Sequence, residues 1–284
     1  MSVVLQLIDL EKDYGDFVLD KVTFAVPSGS IVGLIGENGA GKTTTINLIL
    51  HAAEKDGGQI SVLGKDHLAF EKEIKQKIGV ITDESHFPEN FTVTDVEKFI
   101  KFMYPCWKQK LFNDYVQKFK LPVKKPIKTF SKGMKKKLDF AVALSHDAQF
   151  LIIDEATSGL DPVMRDDILD LLLDFVQEEQ RAVLFSSHIT SDLERIADYI
   201  AFLHDGKIVF FKPKDELLYN YGIIRCGAAV FDRLDKTEVI KYRRQDYEWQ
   251  VLVADRETAK RKYPKCVVDN AKIDEILLLY IRGE

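Results

Sequence analysis

Residues 36–43 read Gly-Glu-Asn-Gly-Ala-Gly-Lys-Thr, and this stretch restricts the possible folds more than any other part of the chain. Ahead of it, residues 30–35 are apolar and β-branched and are entered through Pro27 and Gly29, the make-up of a short buried strand. Behind it, Ile46, Leu48, Ile49 and Leu50 give residues 44–51 the pattern of a buried helix. A glycine-rich turn between a strand and a helix is the setting that the pattern G-x-x-x-x-G-K-[ST] needs if it is to cradle phosphate. Gly36, Gly39 and Gly41 keep side chains away from a ring of backbone N–H groups and permit the positive φ of a tight nest. The helix start contributes further unpaired amides. Lys42 is then expected to reach the β- and γ-phosphates, and the Thr43 hydroxyl to bind Mg²⁺. Asn38, Ala40 and Thr44 complete the expected nucleotide contacts of this loop.

A chain of 284 residues is long enough for one large domain or two modest ones, each with its own core. The net charge of −5 offers no general attraction to nucleic acid or to anionic lipid. Cys106, Cys226 and Cys266 are scattered, odd in number and without metal spacing, which suits free thiols in a reducing compartment. Asp9 and Glu11 near the start argue against a signal peptide. No run approaches the roughly 20 apolar residues that a membrane span requires. These features together lead to the expectation of a cytoplasmic chain.

Alternation over residues 2–10 and 22–26 predicts a β-rich start, with a turn at Lys12-Asp13-Tyr14-Gly15-Asp16 between the two stretches. Further strands are expected over 59–64 and 78–83, separated by a charged helix over 69–77. From 85 to about 145 the patterns are helical (94–103, 108–119 and 134–144), so this block reads as a helical insertion in an α/β fold. Strands return at 150–154 and 182–186, with helices over 162–179 and 191–197 and a hairpin closed by Asp205-Gly206. Asp161-Pro162 suits the cap and first turn of the helix it precedes. Residues 220–284 read as a small α+β accessory domain, with short strands at Val230, 239–242 and 249–253 and two helices, the last over 273–281.

Further residues carry chemistry. Residues 151–153 form an apolar strand that ends in Asp154 and Glu155. Beside a phosphate loop, the first acid is suited to holding Mg²⁺ and the second to accepting a proton from attacking water. Taken alone, such a pair is as often simply solvated at a strand end. Ser131, before a helix, is a possible cap, and Gly133 allows close approach. His188 ends another strand on the same expected edge, where an isolated histidine would usually be only a surface residue.

The order of these pieces resembles the ATP-binding subunit of ABC transporters over about residues 3–215. Gly36 to Thr43 is similar to that family's Walker A loop, and residues 151–155 to its Walker B strand. Residues 130–134, Phe-Ser-Lys-Gly-Met, resemble its signature motif, usually Leu-Ser-Gly-Gly-Gln. Ser158-Gly159-Leu160-Asp161 looks like the D-loop, His188 falls at the switch histidine, and Tyr14 falls where the family stacks an aromatic on adenine. Asp83 stands where a glutamine is usual and is carried over as a metal-binding equivalent.

The resemblance implies a P-loop NTPase with an ABC-type ATPase core over residues 1–215. That core comprises an antiparallel β subdomain and the helical insertion, and the accessory domain of residues 220–284 follows it. It also implies two ATP-binding subunits, identical or paralogous, clamping ATP and Mg²⁺ between the Walker A loop of one and Ser131 and Gly133 of the other. Lys42, Glu155 and His188 would carry hydrolysis, with Asp161 lining the shared site. The partner would be an integral membrane permease subunit docked near Asp83 and Phe87, which places the chain peripherally on the cytoplasmic face of the membrane. Among such systems it looks most similar to exporters of peptides and antibiotics. The alternative is a soluble ABC-type ATPase acting on nucleic acid or in regulation. Coiled-coil heptads are absent and there is one nucleotide motif rather than two. The lysines at 124, 125, 128, 132 and 135–137 read as a solvated face near the incoming nucleotide, so no nucleic-acid partner is expected.

Overall fold

β1 (Val3–Asp13) and β2 (Val18–Pro27) pair antiparallel in the computed structural model, which describes residues 2–284. Leu19, Val22, Phe24 and Val26 turn inward from β2, one face of a pleated strand. The hairpin is closed by the Tyr14 N–H donating to the Phe17 carbonyl at 2.9 Å, with Gly15 at φ +87°. β3 (Ile31–Ile35) then passes through the interior with every residue buried. Such a strand is apolar on both faces because layers cover it on both sides. α1 (Lys42–Ile49) follows the glycine-rich loop. β4 (Gly57–Val62) and β5 (Lys65–Asp66) extend the first sheet to the order β2-β1-β4-β5.

α2 (Glu71–Lys75) leads into β6 (Ile78–Ile81). The helical block comprises α3 (Val93–Met103), α4 (Gln109–Lys118), a 3₁₀ turn at Ile127–Thr129, and α5 (Lys132–Leu144). α3 begins with a reciprocal capping box between Thr92 and Asp95. β7 (Phe150–Asp154), α6 (Pro162–Val176), β8 (Ala182–Ser186), α7 (Thr190–Ile196), β9 (Tyr199–His204) and β10 (Lys207–Pro213) follow. They complete a six-stranded sheet of order β10-β9-β3-β8-β7-β6, parallel throughout except for the β10–β9 pair. The carboxyl ends of β3, β7 and β8 therefore open on one edge, where α/β sheets bind their ligands.

A third, antiparallel sheet of order β12-β13-β11-β14 contains β11 (Gly222–Cys226), β12 (Val239–Gln245), β13 (Glu248–Val253) and β14 (Val267–Asn270). Between them lie α8 (Ala228–Phe231) and α9 (Arg256–Lys262), and α10 (Ile273–Arg282) follows.

Two sequence expectations are corrected here. Val230 lies in the helical turn α8, not in a strand. The Phe231 ring stacks on Trp249 at 4.0 Å between centroids, and a single turn over Ala228 and Ala229 brings it there. The region accordingly holds three helices rather than two. Lys136 does not belong to a solvated face. It is 1 % exposed, and its ammonium donates to the Thr82 carbonyl just past β6. Its neighbours are also engaged, Lys132 with Asp83 at 2.9 Å and Lys128 with Asn90 at 3.4 Å. Acids and carbonyls of residues 82–90 take up lysines that composition alone would leave free.

Candidate functional site

The glycine-rich loop borders an open cleft of about 560 Å³ lined by Phe17, Asn38, Gly39, Gly41, Lys42, Thr43, Thr44 and Glu155. Gly39 and Gly41 take φ of +84° and +108°, values that a Cβ would strain. Gly36 packs so closely that a Cβ there would meet the Leu203 carbonyl oxygen at 2.3 Å. α1 starts from Gly41 without a side-chain cap, so its first amides stay available to an anion. Lys42 is nearly buried, and its Nζ donates to the Gly36 and Glu37 carbonyls at 2.8 and 3.0 Å. Ala40 is buried beneath the loop.

The acids at the end of β7 meet this loop. Thr43 donates its hydroxyl to Asp154 Oδ2 at 3.0 Å. Glu155 Oε1 lies 3.6 Å from Lys42 Nζ, and its Oε2 lies 3.4 Å from His188 Nδ1. Glu155 itself sits at φ +52°, in the left-handed region that a residue with a Cβ rarely adopts. Its N–H donates to the Ser186 carbonyl at 3.0 Å, which holds the turn where β7 and β8 end side by side. The carboxylate is thereby aimed between a lysine and a histidine from separate elements. Backbone strain of this kind concentrates at functional positions.

Other expected site residues lie outside the cleft. Ser131 caps α5, its Oγ accepting from the Met134 N–H at 3.2 Å. A Cβ at Gly133 would meet Met164 Sδ of α6 at 2.8 Å, so the two helix starts touch. Asp161 caps α6 by accepting from the Met164 N–H at 3.0 Å. Tyr14 is half exposed, with Lys12 Nζ 5.3 Å from its ring centre. The aromatic that lines the cleft is Phe17, at the other end of the same turn. Sequence reasoning passed over Phe17, although a second aromatic three residues after Tyr14 was the available signal.

Asp83 is not brought to Thr43 and Asp154. Its carboxylate pairs with Lys132 at 2.9 Å, in a separate cleft of about 450 Å³ that also holds Glu84, Glu89 and Lys136. The pairing has a simple cause: an acid stands at the end of β6 and a lysine inside residues 130–134, and the two loops adjoin. Behind them Asp139 of α5 accepts from the Ser85 hydroxyl at 2.8 Å, and burial pushes its carboxyl up to about 6.

The donors near Thr43 fit a magnesium–nucleotide complex. Asp154 spends one oxygen on Thr43, while the other is enclosed with no partner. An enclosed, unpaired carboxylate oxygen is costly unless a cation or its water shell satisfies it. Among the described residues no group of three or more acids, histidines or cysteines could by itself hold a metal. An ion here needs ligands from phosphate, as magnesium in nucleotide sites does.

The family model described as ABC transporter matches residues 19–158. The bacitracin transport ATP-binding protein BcrA of Bacillus licheniformis is 34 % identical over 220 residues, covering 76 % of this chain and 72 % of that protein. The lantibiotic transport ATP-binding protein SrtF of Streptococcus pyogenes is 32 % identical over 229 residues, covering 78 % and 98 %. A solved structure titled as the ATP-binding subunit of an ABC transporter superposes with a TM-score of 0.71 at 28 % identity, covering 75 % of this chain and 91 % of that one. The phosphate loop and the paired acids Asp154 and Glu155 lie within the residues that the family model matches, and His188 follows them. The chain belongs to the ABC transporter family, as one of its ATP-binding proteins.

Proposed function

We propose that this protein hydrolyses ATP to power export of a peptide, antibiotic or other small compound through a separate integral membrane permease subunit. The relatives named for bacitracin and lantibiotic transport support that substrate class. Among the described residues no helix is long and apolar enough to cross a membrane, which supports a separate partner. The chain would work peripherally, at the cytoplasmic face of the membrane.

The observation that carries the reading is Glu155, held between Lys42 and His188 at the mouth of the phosphate loop. When ATP enters, Lys42 exchanges two backbone carbonyls for β- and γ-phosphate oxygens. Thr43 and Asp154 would hold Mg²⁺, which neutralises charge on those phosphates. Glu155 accepts a proton from water as the water oxygen bonds to the γ-phosphorus and the bond to the ADP oxygen breaks. His188 orients Glu155 and meets the γ-phosphate. Phe17 and Tyr14 bound the space for the base. Asp83, taken by Lys132, is assigned to joining β6 to the Ser131 segment rather than to the metal.

Ser131, Gly133 and Asp161 stand away from the cleft of their own chain, which supports a site shared with a second ATP-binding subunit. Two such subunits would close head to tail on two nucleotides, ATP binding the closed state better than the open one. Glu155→Gln tests this directly. It is expected to keep ATP affinity, lower hydrolysis by about 100-fold or more, and elute as a dimer in ATP. Normal turnover would remove Glu155 from the role of base. Recovery of the chain from cell extract with DNA or ribosomes, and not with a multi-spanning protein, would favour the nucleic-acid alternative.

A further inference from the structure

α10 is the last helix of the C-terminal segment, yet its apolar face packs into the core of the nucleotide-binding sheet. Ile273, Ile276, Leu277 and Leu279 share one cluster with Ile35 of β3 and Phe202 of β9. The sheet β11–β14 keeps a small core of its own around Ile224, Phe231 and Val251, while Ile223 and Leu252 join the cluster that holds α10. Tyr280 packs against Phe202 and Phe210, with ring centres 6.1 and 5.4 Å apart. Leu277 and Ile281 line a cavity of about 220 Å³ whose other walls are Ile35, Gly36, Glu37, Phe202 and His188. The histidine beside Glu155 therefore shares the walls of one cavity with Leu277 and Ile281 of α10.

Two sets of polar links fix α10 at both sides. Toward the site, the Ile273 N–H donates to Glu194 Oε1 at 2.9 Å. Glu194 lies on α7, which begins two residues after His188. Toward the C-terminal sheet, Arg225 of β11 binds Glu275 of α10 at 2.9 Å and Asp269 of β14 at 2.8 Å. The backbones of Tyr242 and Glu284 exchange hydrogen bonds of 3.2 and 2.9 Å. A connected path thus runs from β11 and β12, through α10, to the segment that carries His188.

We propose that α10 is a positioning element for His188, through which the C-terminal sheet sets the rate of γ-phosphate cleavage without touching nucleotide. This rests on the assignment of His188 to the hydrolytic site. Leu277 and Ile281 are its positioning residues. Removing their bulk enlarges the space open to the histidine, and small displacements of a positioned group cost rate steeply. ATP affinity, set by the phosphate loop, stays as it is.

The test uses the full chain with Ile281→Ala, and with Leu277→Ala as a second variant. In single-turnover hydrolysis each is expected to slow cleavage by about tenfold while the ATP dissociation constant stays within about twofold. Ile281→Leu and Leu277→Met should restore the rate. The variants are repeated in a His188→Ala background, where the slowing should vanish because residues acting through one group do not add. An NMR readout stands apart from activity: the imidazole resonance lost in His188→Ala should shift or broaden in Ile281→Ala. An unchanged rate, a slowing that persists without His188, weakened ATP binding at unchanged rate, or an unmoved imidazole resonance would overturn the proposal. If His188→Ala itself hydrolyses ATP normally, the failure lies with the role given to His188, not with α10.

Discussion

The hydroxyl of Thr43 and the carboxylate of Asp154, 111 residues apart in sequence, are joined by a 3.0 Å hydrogen bond. The second Asp154 oxygen is enclosed and unpaired. For Asp154→Ala, the gain in ATP affinity that magnesium gives over a chelator should shrink by about 10- to 150-fold, since one charge-assisted partner is worth about 1.5–3 kcal/mol. Calorimetric titration with and without EDTA measures this. An undiminished magnesium effect would place the ion elsewhere.

Ser131 has work inside its own chain, because it caps α5. Replacing it costs about 1 kcal/mol of stability from the lost cap alone. Ser131→Asn, which keeps a capping oxygen, should therefore melt close to the parent. Ser131→Arg should bind ATP as a monomer but lose hydrolysis by about tenfold or more, because the arginine blocks the approach of a second subunit. Hydrolysis that survives the arginine would rule out a shared site.

Asp139 gives a pH dependence with a defined sign. Burial raises its carboxyl from 3.8 to about 6, against the opposing pull of Ser85 and Lys136. The folded chain then holds the proton more tightly than the unfolded chain. The stabilisation is complete below about pH 4 and is lost as pH rises through about 6. Asp139→Asn, which cannot ionise, should gain on the parent by about 2–3 kcal/mol between about pH 4 and pH 7. Urea titrations of both proteins across that range decide the matter. A constant difference would mean that Asp139 is not held as described.

Asp83 and Lys132 test the opposite regime. Both side chains are about half exposed, at 49 % and 51 %. Exposed ion pairs contribute under about 1 kcal/mol and fade with salt. A double-mutant cycle of Asp83→Asn and Lys132→Gln should give a coupling of that size, falling at high salt. Asp83→Asn should also leave the magnesium dependence of ATP binding unchanged. A loss of that dependence would return Asp83 to the metal.

The parts of the fold legible in the sequence were those fixed by local rules. The glycines at 36, 39 and 41, the fully buried β3 and β7, and Asp161-Pro162 at the start of α6 each follow from backbone freedom, burial or capping. What was hidden depends on long-range packing. Composition cannot show that Lys136 turns inward to Thr82, since only the neighbouring end of β6 makes burial of an ammonium favourable. The left-handed turn at Glu155 is equally silent, because glutamate carries no preference for it and the ends of β7 and β8 impose it. Val230 misled because its β-branched side chain outweighed two helix-favouring alanines in a short window.

Lys42, in the state described, is already coordinated by the Gly36 and Glu37 carbonyls. Losing a phosphate thus never strands a bare ammonium in the interior, because the loop takes the charge back. Grip and release become exchanges between near-equal partners, and a machine that must let go once per stroke is spared a deep well at the end of its cycle.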